Sequence, residues 1–488
     1  MPIGRSLRDL RPTALRNAIA ARCGDPPVTW HWHAGFVFAC LCFWVSYPGR
    51  LNADSLYSVI TATAPAQLGN WHSPTLGWLW NLAGPALGQP SAALLMQSAL
   101  FGLFAGFLPH VPPTWRGRAA IAGEIALRVA LVGAFGAIGK DVVALGLILV
   151  VIRLLPRAFQ RPLNPVEGAI LGAFTLLFLL IKAPNFLTIV LATALVLPLF
   201  TRSVSVYGTT LLVVLLVGLA AVPLNRWVDR TLFAAQDHHP DKQLVIFDLA
   251  AISLRTHHNG FAEVRGWPAA SVPPIADCFL PNMWDSFAPW GPCKAYSTAY
   301  DRLDGALTRQ WLRQIALHPI AYAQHRLTYA GALLLSRDHA SWGLSGSAVN
   351  DANDPMAQAE RAEMMHRLRA NRPIQLWQDS GATEALKTIE RIVFKYPKSQ
   401  AFALIGCLAL LLSCWMRRAR EIRLDVLLPA AFGVANFGML LVFGVADPAR
   451  YMLPTIVLCY VGLIALLTPG ATSPRNALDG RAIEPGGD

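Results

Sequence analysis

Between its first two apolar runs the chain carries Asp54, Trp71 and His72 on one short loop, which ends in the turn Gly69-Asn70-Trp71-His72-Ser73-Pro74. A carboxylate and an imidazole are groups that can move protons in a reaction. Ionisable groups beside a membrane are expensive unless they are used or paired. Asn52 or Asp54 can cap a helix running to about residue 64, which Pro65 and Gly69 would stop. Ser73-Pro74 opens a second helix, with proline at its first position. Two such helices would bring Asp54 and His72 towards one cavity, and the loop is a candidate active site. The same residues also fit a plainer use, with Asp54 as a helix cap and His72 as an interfacial hydrogen-bonder.

The elements around this loop are those of a membrane protein. Of 488 residues 54% are hydrophobic and 14% charged, and mean hydropathy is +0.41, which few soluble chains of this length reach. Fifteen tryptophans suit interfacial belts. The net charge of +12 falls largely in short segments between apolar runs, which fits membrane topology and argues against nucleic-acid binding. The basic N-terminus is followed by an apolar run that starts too late for a signal peptide, so a retained first span is expected.

About ten apolar runs approach spanning length, near 33–48, 90–110, 119–138, 141–156, 166–182, 185–201, 207–225, 400–416, 424–445 and 451–468. With the N-terminus in the cytoplasm, strict alternation puts Arg116, Arg118, Arg153, Arg157, Arg161, Arg202, Arg417, Arg418, Arg420 and Arg423 on the cytoplasmic side. The opposite side holds only Arg50, Lys140, Lys182 and Arg450 near span ends. The expectation is an all-α polytopic protein of the inner membrane with both termini cytoplasmic. Residues 1–32 form a cytoplasmic segment, 33–225 spans one to seven with the outside loop 49–89, 226–399 a mainly helical extracytoplasmic domain, 400–468 spans eight to ten, and 469–488 a cytoplasmic tail.

An acid just after the first span, followed by Gly-x-Trp-His-x-Pro before the next, resembles the membrane glycosyltransferases of the C-type fold. That group includes protein O-mannosyltransferase and aminoarabinose-transferase relatives and their bacterial cousins. Asp54 matches the family acid, and Gly69, His72 and Pro74 match its turn, with Ser73 where a proline is usual. Further matching stretches are Gly139-Lys140-Asp141, Lys182-Ala-Pro-Asn185, Asp248-Leu-Ala-Ala-Ile252, Trp311 with His318-Pro319, Tyr322 with His325-Arg326, and Asp447-Pro-Ala-Arg450-Tyr451. The family often carries an acidic pair after the first span, whereas Ser55 follows Asp54 here, which weakens a two-carboxylate or metal-bridged mechanism.

The resemblance implies transfer of a sugar from a polyprenyl-phosphate carrier to an extracytoplasmic acceptor, in a glycan, lipid or protein of the cell envelope. It makes Asp54 the base with His72 beside it, and Lys140, Lys182 and Arg450 the cations for the leaving phosphate, with Trp71, Asp141, Asn185 and Tyr451 around the substrate. Against this, the cations can snorkel or pair with Asp141 and Asp447, and Asp141 can cap its helix. A lipid-linked-saccharide transporter and a non-catalytic assembly protein are the other readings, though no Gly/Pro-broken repeat of transporter type is visible.

No cofactor is called for, no metal site is assigned, and a divalent metal is left open. Asp237-His238-His239-Pro-Asp241 and His257-His258 lack metal-ligand spacing and read as solvated or hydrogen-bonded loop histidines. Cys278 and Cys293, in the outside domain of an oxidising compartment, are candidates for a disulfide. No Walker, dinucleotide or hydrolase-elbow motif is present. Residues 381–397 pattern as an amphipathic helix leading into the eighth span.

Overall fold

The structure is a computed structural model and describes residues 28–51, 69–109, 114–160, 163–182, 184–201, 203–289, 291–335, 399–416, 423–445 and 451–468, with Ser55, Ser58, Val59, Ala385, Thr388, Ile389 and Ile392. These residues are mostly helical, and each of the ten apolar runs carries a helix. In chain order they are α1 (Trp32–Ser46), then α2 (Pro74–Leu82) and α3 (Gly84–Leu87) in the site loop, α4 (Ser91–Ala105), α5 (Trp115–Gly136), α6 (Lys140–Gln160), α7 (Pro165–Ile181), α8 (Asn185–Val196) and α9 (Val204–Trp227). Then come α10 (Lys242–Thr256), α11 (Ile275–Cys278), α12 (Ala295–Leu317) and α13 (Pro319–Leu335), and finally α14 (Ser399–Met416), α15 (Leu424–Phe443) and α16 (Leu453–Leu467). Among the described residues the strands form two short pairings: Val28–Trp30 antiparallel to Phe107–Pro109, and Arg50–Leu51 parallel to Ala137–Ile138.

Among the described residues four helices are long and apolar enough to cross a membrane: α5, α9 with its extension to Leu232, α14 and α15. The apolar helices α1, α4, α7, α8 and α16 are shorter, and α6 has the length but carries Lys140, Asp141, Arg153 and Arg157. Only 11% of the most apolar window of α9 is buried, so a broad hydrocarbon face is left for an apolar solvent such as lipid.

The first core packs α1, α4, α5, α6 and α16 together. A Cβ on Gly35 would stand 2.6 Å from the Gly102 carbonyl oxygen, so α1 and α4 approach at a point only glycines permit. Inside this core Glu124 pairs with Arg128 and, at 2.9 Å, with Arg153. Arg128 also donates to the carbonyls of Ala105 (3.2 Å) and Phe107 (2.7 Å), which satisfies the end of α4. Arg153, counted by the alternation among the cytoplasmic span ends and loops, is thus a buried residue of this core. Likewise Arg50 is buried and donates to the Gly133 carbonyl at 2.8 Å.

The second core joins α10, α12, α13 and the segment between α10 and α12 to the end of α15, through Met439, Leu440, Val445 and Met452. Cys278 and Cys293 are disulfide-bonded within it. The domain start expected at residue 226 falls inside a continuous helical run, because α9 passes into a π turn, Val228–Leu232. Of the 381–397 stretch, the four described residues are helical and Ile389 packs on the first core.

Candidate functional site

The turn at the end of the site loop is held from two sides. Ser73 caps α2, its hydroxyl accepting from the Leu76 N–H, and it donates to the Leu180 carbonyl of α7 at 3.2 Å. Pro74 occupies the first turn, as its fixed φ favours. On the other side Asn70 is stitched to the segment after α9. Its N–H donates to the Gln236 carbonyl (3.0 Å), its amide nitrogen donates to Asp237 Oδ1 (2.8 Å), and its Oδ1 accepts from the His238 N–H (2.7 Å). Gly69 is tight here: a Cβ would lie 2.0 Å from His238 Cδ2.

Burial raises the affinity of Asp237 for a proton, but hydrogen bonds from Asn70, Arg230 and the His239 N–H outweigh it and bring its pKa down to about 2. The loop is therefore clamped by an ionised carboxylate. Burial, reinforced by Lys242, pushes the neighbouring His238 imidazole below its ordinary value.

On this frame the chain brings together seven of the residues singled out by sequence. His72 is buried, and Lys140 Nζ donates to its Nδ1 at 3.1 Å. Lys140 begins α6 immediately after Gly139, and Asp141 lies in the first turn. Asp141 Oδ1 accepts from Lys182 Nζ at 3.2 Å, and the same ammonium sits 4.4 Å from the centre of the Tyr451 ring. Lys182 is placed by the break between α7 and α8, where it ends α7 in extended conformation before Pro184. Asn185 opens α8 and reaches back across the break to donate to the Phe178 carbonyl at 2.6 Å. Trp71 lies 5.7 Å from Trp284 between ring centres, with Lys242 Nζ 5.6 Å from its ring. Asp54 and Arg450 lie outside the described residues; Ser55, Ser58 and Val59 are helical and buried.

Trp71, Lys140, Lys182 and Tyr451 line a cavity of about 430 Å³. A small void of about 30 Å³ shares Lys182 and Tyr451 with it and is lined by Asp141 and Asn185. Part of the lining is apolar, with Phe186, Val222, Leu440 and Phe443 from α8, α9 and α15. The lining is also polar, with Asn70, Asn225, Arg226, Asp229, Asp237 and Asp241. A cavity of this kind can hold a molecule with an apolar part and an anionic, hydroxyl-bearing head.

Sequence reasoning passed over Asn225, Arg226 and Asp229. With Val222 they recur at the spacing of one helix face at the end of α9, and that was the available signal. Asp237, weighed from sequence only as part of a possible metal motif, is engaged by Asn70 and Arg230. His258 is a hydrogen-bonded loop histidine, 2.9 Å from Glu263. Among the described residues no three His, Cys, Asp or Glu side chains converge.

The domain motifs gather beside this site. Trp311 Nε1 donates to Asp248 Oδ2 at 2.9 Å, while Asp248 Oδ1 lies 3.2 Å from His325 Nε2 and 2.5 Å from Arg326 Nη2. Arg326 donates to the carbonyl of Gly444, itself a cavity residue, at 2.7 Å. The buried cluster thus ties α10, α12 and α13 to the rim of the cavity.

Compared with known proteins, the chain matches no family model, no curated protein and no solved structure.

Proposed function

We propose that the chain is an integral membrane glycosyltransferase of the C-type fold, transferring a sugar from a polyprenyl-phosphate donor to an extracytoplasmic acceptor. The observation that carries this reading is that Lys140 and Lys182, at helix ends, line one cavity together with apolar side chains of α8, α9 and α15. A lipid phosphate has an apolar tail and an anionic head, and this cavity offers a surface for each.

In the reaction, Asp54 takes the proton of the acceptor hydroxyl, whose oxygen attacks the anomeric carbon. The bond from that carbon to the phosphate oxygen breaks, and polyprenyl phosphate leaves with the electron pair. Lys140 and Lys182, with Arg450 as third cation, hold the charge that develops on the leaving oxygen. Trp71 and Tyr451 offer ring faces to the sugar.

The topology belonging to this reading has ten spans, both termini in the cytoplasm of a bacterial inner membrane, and the α10–α13 domain outside. The shorter apolar helices, 15 to 17 residues in α1, α4, α7 and α16, reach roughly 22–26 Å and cross where the bilayer thins or flanking groups snorkel.

The test is a transfer assay with purified protein and a panel of polyprenyl-phosphate sugars. Wild type should release polyprenyl phosphate. Lys140→Met and Lys182→Met should each reduce turnover by about 100-fold or more, and Asp54→Asn should abolish it while leaving insertion intact. Absence of release with every donor, together with movement of a labelled carrier across vesicles, would replace this reading with the transporter.

A further inference from the structure

Asp229 is the acid of the cavity that the proposed reaction leaves unused. It stands on the π turn that ends α9, only 7% exposed, and its Oδ1 has no hydrogen-bond partner. One helical turn earlier, Asn225 presents a second buried oxygen, Oδ1, also without a partner. The other two acids on this surface are engaged, Asp237 by Asn70 and Arg230, and Asp241 by the Tyr300 hydroxyl at 2.9 Å.

Buried acceptors without donors are rare, and a carboxylate kept so within a cavity wall is held for something that arrives. Both oxygens lie one turn apart on one helix face with Val222 and Arg226, and all these residues line the cavity that Lys140 and Lys182 enter from other helices. A hydrogen-bond donor is what each of these two oxygens lacks. A phosphate has none at its ester oxygens, whereas a sugar ring carries several hydroxyls. π turns inside helices also recur where a side chain must be re-aimed at a ligand.

We infer that Asp229 and Asn225 form the saccharide subsite, accepting hydrogen bonds from hydroxyls of the sugar while the lysines hold its phosphate. This rests on the glycosyltransferase reading and adds the residues that read the sugar. Asp229 is a binding residue here, distinct from the base.

The experiment measures binding to the full-length protein in nanodiscs, with farnesyl phosphate as the sugar-free probe and farnesyl-phosphoryl glucose, mannose and galactose as the sugar-bearing ones. Wild type should bind one of the hexose conjugates ~10-fold or more tightly than farnesyl phosphate, the range expected of hydrogen bonds to a charged acceptor. Asp229→Asn and Asn225→Leu should each erase most of that preference while farnesyl phosphate affinity stays at the wild-type level. Lys182→Met should weaken all four probes alike. Since Asp229→Asn removes an uncompensated buried charge, its thermal melting should equal or exceed that of wild type.

Full sugar preference in Asp229→Asn, or no preference in wild type for any hexose conjugate over farnesyl phosphate, overturns the subsite and leaves the phosphate site standing. A preference that disappears with chelator and returns with magnesium assigns the two oxygens to a cation and also overturns it. So does a lowered melting temperature in both Asp229→Asn and Asp229→Leu, which would make Asp229 a packing residue. Failure of wild type to bind any of the four probes overturns the glycosyltransferase reading itself.

Discussion

Gly69 is the residue on which the position of Trp71 and His72 turns. Its φ is not among the left-handed ones, so an alanine fits the backbone, and the obstacle is only the His238 ring 2.0 Å from the added Cβ. Forcing such a contact typically destabilises by about 1–3 kcal/mol. Gly69→Ala should therefore lower both melting temperature and transfer rate, and His238→Ala in the same chain should restore most of each. A double-mutant cycle on the two measures checks it. If His238→Ala gives no rescue, Gly69 is needed for a reason other than this contact. At this scale the sequence was informative where local chemistry was enough: Ser73-Pro74 is a helix start, and Lys140-Asp141 sits at the head of α6. It was silent on Asp229 and Asn225. Their lack of partners is a property of the cavity, and no local pattern carries it.

Elements bring these residues together through their ends. The break between α7 and α8 sets Lys182, the π turn after α9 sets Asp229, and the α10–α13 cluster reaches the cavity rim through Arg326. Within that cluster burial holds the His325 imidazole below its ordinary 6.5, with Asp248 pulling the other way and Arg326 reinforcing burial. The unfolded chain accepts a proton below about pH 6.5 that the folded chain refuses, so stability falls as pH drops from there towards the folded value. Melting temperature should decline between pH 7 and pH 5.5 in wild type, and this slope should flatten in His325→Asn; an unchanged slope would place the titrating group elsewhere. The disulfide staples the neighbouring segment across a sequence separation of 15. A loop of this size is worth about 3 kcal/mol by closure entropy. Thiol labelling of the unreduced, unfolded protein should miss Cys278 and Cys293, and the Cys278→Ala, Cys293→Ala double variant should melt earlier. Cysteine spacing could suggest this bond, but hydropathy alone stops short of the end of α9, because its apolar run ends before its helix does.

For the whole molecule, the proposed orientation rests on the arginines assigned to the cytoplasmic side, and the buried ion cluster bears on that assignment. Arg153 belongs to the core pair with Glu124, and Arg157 pairs with Glu167 at 3.1 Å across the turn into α7. The sequence could not separate these from loop arginines, since hydropathy treats every arginine alike and the partner Glu124 lies on another helix. The topological weight then falls on Arg116, Arg118, Arg161, Arg202 and the group from Arg417 to Arg420. Reporter fusions after Arg118, Arg161, Arg202 and Arg420 should all report cytoplasm, and one after Gly260 should report the outside. Arg153→Met separates the two roles. As a core residue, its loss leaves a Glu124 oxygen buried without its donor and should lower stability by roughly 1–3 kcal/mol, with every fusion reporting as before. As a topology signal, its loss would leave the core intact and redirect the neighbouring fusions. A stable Arg153→Met protein with the Arg118 or Arg161 fusion moved outside would therefore make Arg153 a topology signal and count against its pair with Glu124 as a support of the first core.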